Sequence, residues 1–130
     1  MAEEKTLTDK QGNQLVVELD SKRSDYVVSL VGEDGAKTEA GFVHFFDREG
    51  ERTMSHTIVP PEFGGRGIGT AAIKGALADT AEAGLTVVPV CPMIEAYLGK
   101  HGEEYAAEGG KFRAVEPVDR TRSSAHDAAM

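Results

Sequence analysis

"VPPEFGGRGIGTAA", Val59 to Ala72, carries glycine at 64, 65, 67 and 69 between two prolines and a helical pattern. Glycine inside a helix costs about 1 kcal/mol relative to alanine, so a cluster at a helix start needs a reason. A turn is one reason; an anion that must come close to the backbone is the other. The flanks narrow the choice. Upstream, "RTMSHTIV" (Arg52–Val59) alternates as a strand, with Met54, His56 and Ile58 on one face and Ser55, Thr57 and Val59 on the other. Downstream, Ile68, Ala72, Ile73, Ala76, Leu77, Thr80 and Ala81 recur at helical spacing. They predict a helix over Arg66–Ala83, about 27 Å long, closed by Gly84. "LTVVPVCP" (Leu85–Pro92) then reads as a buried strand and "MIEAYLGKH" (Met93–His101) as a short helix ending near Gly102. Strand, loop, helix and strand in that order predict a crossover that lays the two strands parallel.

Before this unit the chain reads as β-rich. "QLVVELD" (Gln14–Asp20), "YVVSLVG" (Tyr26–Gly32) and "EAGFVHFFD" (Glu39–Asp47) are separated by the turn stretches "SKRSD" and "EDGAK", and "REGE" leads into Arg52–Val59. Four strands on short turns predict an antiparallel meander. Residues 1–12 read as a polar lead-in, residues 13–116 as one domain, and residues 117–130 as a disordered tail poor in core residues. "KFRAV" (Lys111–Val115) is either a last edge strand or no strand. The fold class is α+β, three-layered, with a mixed, mostly antiparallel sheet of five to six strands. Its fourth and fifth strands are the parallel pair.

The chain has 130 residues, 40% hydrophobic and 28% charged, which suits a single core. Its net charge of −8 argues against nonspecific nucleic-acid or membrane binding, both of which want a basic surface. A small anionic ligand needs only local positive potential. One cysteine, Cys91, precludes an internal disulfide, and no Cys/His spacing suggests a metal site. The N-terminus is polar and no apolar run reaches a membrane span, so the expected location is the cytoplasm.

Three anion-binding loops compete with a plain turn. A Walker-A loop needs a lysine that Gly69-Thr70 lacks. A dinucleotide fingerprint would open a parallel sheet and place an acid after the next strand, where "VVPVCP" has none. The third is a pyrophosphate cradle between an antiparallel strand and a helix, in which glycines leave N–H groups uncovered beside the helix N-terminus. Arg66 adds a charge beside it.

Val59-Pro60-Pro61, then Gly64, Gly67 and Gly69, resembles the central V-x-P-x-x-[Q/R]-x-x-G-x-[G/A] motif of the GNAT superfamily of acetyl-CoA-dependent N-acetyltransferases. Gly64 stands where the family has Gln or Arg. "AYLGKHG" (Ala96–Gly102) is similar to the family's tyrosine-bearing helix. The family usually has one or two helices between its first two strands, where this chain has only "SKRSD". His56-Thr57, Cys91-Pro92, Tyr97 and His101 match the pattern of its small stand-alone members.

The resemblance implies acetyl-CoA as co-substrate, no metal, and acetyl transfer to an amine the sequence does not name. Its pyrophosphate would lie on the amides of Gly64, Gly65, Arg66, Gly67, Ile68, Gly69 and Thr70. Its pantetheine arm would run between the splayed parallel strands, and Pro89, which cannot donate to a ladder, suits such a split. A backbone N–H near Ile58 and Val59 would stabilise the oxyanion, and Tyr97 would protonate the departing thiolate. Each candidate has a plainer reading beside this one. Tyr97 is thiol-proximal or a core residue. His56, with His101 behind it, is a base or a structural histidine. Cys91 is an inert core thiol or an acetyl carrier. The rival to an enzyme is a non-catalytic CoA-binding or protein-interaction module that keeps the fold.

Overall fold

The computed structural model describes residues 5–9 and 11–128. In chain order they form β1 (Lys5–Thr8), β2 (Gln14–Asp20), β3 (Asp25–Val31), β4 (Lys37–Arg48) and β5 (Glu51–Ile58). A 3-10 turn at Pro61–Phe63 follows, then α1 (Ile68–Glu82), β6 (Thr86–Pro89), α2 (Pro92–Ala107), β7 (Lys111–Phe112) and α3 (Pro117–Ala128). Hydrogen-bonded neighbours follow chain order from β1 to β7. The described residues cluster into two compact units. One takes residues up to His44 with Thr57–Asp79; the other takes Phe45–His56 with the residues from Thr80 on.

In the first unit, β1, β2, β3 and β4 pair antiparallel in succession. Asp20 pairs with Asp25, so "SKRS" is a tight turn and no helix interrupts β2 and β3. The Asp20 carboxylate accepts the Lys22 and Arg23 amides, which closes that turn. The register shifts between Val28 and Ser29, leaving Ala40 as an extra residue in β4 beside Gly41. A Cβ on Gly41 would come within 2.6 Å of the Ile58 carbonyl oxygen, so the glycine permits that close approach. The core of this unit is Leu15, Val16, Val17, Tyr26, Val28 and Val43 against Ile68, Ala72, Ile73, Ala76 and Leu77 of α1. Burying such a Leu or Ile side chain contributes about 2 kcal/mol. The small residues set the distance: a Cβ on Gly75 would sit 2.7 Å from that of Val17. The Tyr26 hydroxyl donates to Asp79 at 2.7 Å, satisfying a buried phenol.

In the second unit, Glu51–Met54 of β5 pair parallel with Thr86–Pro89 of β6, and Thr86 and Val87 pair parallel with Lys111 and Phe112 of β7. Met54, Val87, Val88, Ile94, Leu98 and Tyr105 are buried. Burial pushes the Tyr105 phenol up to about 12.

Several expectations need correction. The described residues form seven strands rather than five to six, because Lys5–Thr8 pairs with Gln14–Val17. An edge strand needs only backbone pairing, so a polar lead-in carries no apolar signal for it; residues 1–4 and 10 of that lead-in lie outside the described residues. The fourth and fifth strands in chain order are therefore an antiparallel hairpin, turned by Glu49 and Gly50 at φ 50° and 81°. The strands read as parallel, Arg52–Val59 and Leu85–Pro92, correspond to β5 and β6. The second helix does not stop near Gly102 but continues to Ala107. Gly102 is buried in it, where a Cβ would meet the Phe112 ring at 2.6 Å; the glycine serves packing, not termination.

The expected disordered tail holds α3; its residues 129–130 lie outside the described ones. The cause is a clasp. Arg113 donates to both Glu51 oxygens at 2.6 and 2.9 Å and to both Asp119 oxygens at 2.7 Å. Asp119 also accepts the Glu116 amide at 2.7 Å, which caps the helix start.

Candidate functional site

The glycine loop belongs to the first unit. Pro60 and Pro61 open the 3-10 turn, in which Phe63 N–H donates to Pro60 and Gly64 N–H to Pro61, at 2.9 and 3.0 Å. Gly65 and Gly67 then take φ +74° and +79°, which favours glycine. The Ala71 amide makes the first helical bond of α1, to the Gly67 carbonyl at 3.1 Å. Between these points, the amides of Gly65, Arg66, Gly67, Ile68, Gly69 and Thr70 bond to no described residue. Successive N–H groups in such a conformation, ending on a helix N-terminus, form an anion-binding concavity.

The structure trims the expected donor set at one point. The Gly64 amide is spent on Pro61, so the free row runs over Gly65–Thr70. It also explains the odd glycine. Gly64 has an ordinary φ of −67°, but a Cβ there would lie 3.2 Å from the Pro61 oxygen. At the strand end before the loop, the Val59 amide likewise bonds to no described residue, and Ile58 is exposed.

Arg66 is not the free cation the sequence suggests. Its Nε and Nη2 donate to Asp9 Oδ2 at 3.2 and 3.0 Å, and its guanidinium lies 6.0 Å from the Phe63 ring centroid. Burial pushes the Asp9 carboxyl upward, but hydrogen bonds from Asn13, Gln11 and Arg66 outweigh it and hold the group below the usual carboxylate range.

The other candidates belong to the second unit: His56 and Cys91 lie just past the point where β5 and β6 part, and Tyr97 and His101 follow on α2. The ladder ends at Met54 and Pro89, and the Cys91 amide donates to the Met54 carbonyl at 2.9 Å as the last link. Pro89, with no N–H, stands at the end of the ladder, where a donor is dispensable. Cys91 caps α2, its carbonyl accepting the Ile94 and Glu95 amides, and its side chain is buried and in no disulfide.

Tyr97 is half-buried on the second turn of α2, its ring 4.6 Å from that of His101. Burial first, then the charges of Glu104 and Glu108, raise its phenol above the ordinary value. It is therefore protonated at neutral pH and able to donate. His101 turns its Nδ1 to Glu104 at 3.2 Å, an exposed pair.

His56 Nε2 donates to Asp127 Oδ2 at 2.8 Å. A carboxylate only accepts, so the proton sits on Nε2 and Nδ1 keeps the lone pair of the neutral ring. His56 is nearly half exposed, whereas the other Asp127 oxygen is buried with no hydrogen-bond partner among the described residues. His126 beside it stacks on Phe46 at 4.4 Å.

Asp9 and Asp127 are the residues sequence reading misses. Asp9 had a weak local signal, "DKQGN", which suits a carboxylate-closed turn. Asp127 had none, lying 71 residues from His56 in a polar stretch. Among the described residues no group of His, Cys, Asp or Glu could hold a metal, and no helix is long and apolar enough to cross a membrane.

Comparison with known families places this geometry. The model of the GCN5-related N-acetyl-transferase family matches residues 29–108, more than half of the chain, and the chain belongs to that family. The matched span includes the glycine loop, His56, Cys91, Tyr97 and His101, and leaves out Asp9, Arg113 and Asp127. Neither a curated protein nor a solved structure matched.

Proposed function

We propose that this chain binds acetyl-CoA and catalyses transfer of the acetyl group to an amine, through the domain read over residues 13–116. The observation that carries the reading is the row of unbonded amides from Gly65 to Thr70, opened by two left-handed glycines inside the family-matched span. A pyrophosphate suits that row, because a Cβ position on Gly65 meets nothing within 4 Å and the amides bond to no described residue.

Acetyl-CoA would supply the activated acetyl thioester. The Val59 amide, which bonds to no described residue, would donate to the oxygen that gains charge when the amine attacks. Nδ1 of His56 takes the proton the amine loses as its bond to carbon forms. The Tyr97 phenol gives its proton to the sulfur as the carbon–sulfur bond breaks. The imidazolium then returns its proton to water, and the tyrosinate recovers one. Direct attack is favoured over a Cys91 acetyl carrier because Cys91 is only 3% exposed.

One observation favours the second reading, a binding module without catalysis. The direct Asp20–Asp25 hairpin leaves no helix between β2 and β3, and that region covers the acceptor in the resembled family. Calorimetry with CoA and acetyl-CoA, followed by mass spectrometry of an amine panel, separates the readings. Binding with an acetylated product supports the enzyme. Binding without turnover supports the module, and no binding at high micromolar concentration overturns both.

A further inference from the structure

We infer that Asp9 is a positioning residue for the anion-binding loop, acting through Arg66, so that the turn joining β1 and β2 is a working part of the CoA site. The inference rests on the CoA-binding reading of residues 65–70 and adds to it a residue outside the family-matched span.

The Asp9 carboxylate has no exposed surface. Oδ1 accepts the amides of Gln11 and Asn13 at 2.9 and 2.8 Å, and Oδ2 accepts Asn13 Nδ2 at 3.1 Å. The backbone of the same turn closes through Asp9 N–H to Asn13 at 2.9 Å and Gly12 N–H to Asp9 at 3.1 Å. The carboxylate is thus fixed by its own turn before Arg66 reaches it. Onto this point Arg66 lays two donors, from 57 residues away.

The loop needs such an anchor. From Gly64 to Gly67, Arg66 is the only residue with a side chain, and glycines on both sides leave the backbone its widest freedom. Unanchored, the amides of Gly65–Thr70 would sample many directions, and an anion would have to bear the cost of ordering them. Anchored, they are aimed in advance.

The anchor also changes what Arg66 contributes. Its charge is already compensated by Asp9, so its work is geometric, and the anion is met chiefly by peptide dipoles. A lysine at 66 would keep the charge but lose the two-pronged hold. That separates geometry from charge.

The test uses the full chain as wild type, Asp9→Asn, Arg66→Lys, Arg66→Met and the double variant Asp9→Asn/Arg66→Met. CoA affinity is read by calorimetry, and the motion of the 65–70 amides in the free protein by nitrogen-15 relaxation. The expected result is an approximately tenfold weaker Kd for each single variant, with Arg66→Lys no better than Arg66→Met. The double variant should be no worse than either single, because both remove one device. In the free protein, Asp9→Asn should raise the amplitude of motion at Gly65–Gly67 while the amides of α2 stay as they are. Wild-type affinity in Asp9→Asn would overturn the inference, as would full affinity in Arg66→Lys with loss in Arg66→Met. If wild type binds no CoA, the functional reading fails, and the relaxation data still decide the clasp: an unchanged loop in Asp9→Asn rejects it.

Discussion

The glycine loop and the parting of β5 and β6 are built from opposite materials. The loop offers six peptide N–H groups and hides its side-chain chemistry in one ion pair, Arg66 with Asp9. The strand parting and the α2 helix that follows it offer side chains: an imidazole on His56, a buried thiol on Cys91 and, on α2, a phenol on Tyr97. Backbone donors suit a task that needs fixed direction and no change of protonation, such as holding a phosphate. Side chains suit proton movement, because only they can change charge. The two regions should therefore fail in different ways.

The sharpest way to break the loop alone is Gly67→Glu. The substitution strains a φ of +79° and brings a carboxylate to the amides, so CoA binding should fall by more than about 100-fold by calorimetry. The melting temperature should shift far less than it would for a core lesion. Retained CoA affinity would remove the loop from the site.

Tyr97→Phe attacks the other region. The raised phenol is protonated across neutral pH, so its loss should lower kcat by roughly 100-fold and leave CoA affinity within about twofold. An unchanged kcat would return Tyr97 to the core. The plateau in wild-type activity should extend past the ordinary tyrosine range on the alkaline side, since the phenol must lose its proton before it stops donating.

Asp119→Ala probes the support of that region rather than its chemistry. Arg113 hydrogen bonds, against a smaller opposing effect of burial, hold the Asp119 carboxyl at about 2 instead of 3.8. A folded value below the unfolded one stabilises the protein above about pH 4, and the gain disappears as pH falls toward 2. The variant should lose about 2 kcal/mol at neutral pH, measured by urea unfolding, and less as the medium is acidified. Equal loss at pH 7 and pH 2 would show that Asp119 acts through packing. The smallest effect is expected at Gly65→Ala. Its φ of +74° disfavours alanine although no atom opposes the new Cβ, which should cost about 1 kcal/mol and weaken CoA about fivefold by calorimetry.

What could be read in advance follows the range of the forces involved. Alternation in Arg52–Val59, helical spacing from Ile68 onward and glycine at 65 and 67 are local signals, and they specified the strand, loop, helix and parallel strand. Gly102 misled because a glycine in a helix means termination or close packing, and only the Phe112 ring distinguishes them. Lys5–Thr8 and Pro117–Ala128 escaped notice because pairing with a neighbouring strand, or a clasp on Arg113, needs no apolar pattern.

The sequence by itself determined that this chain would expose backbone amides at the start of one helix, because glycine spacing and helical periodicity act within a few residues. The tertiary structure alone decided which charges those elements meet. Arg66 finds Asp9, His56 finds Asp127 and Arg113 finds Glu51 across 57, 71 and 62 residues. Opposite charges attract without regard to sequence distance, and the chain holds many of each. The fold selects among them by bringing particular carboxylates within 3.2 Å or less of each cation or imidazole, two of them in the case of Arg113, and so it sets which groups remain available for chemistry.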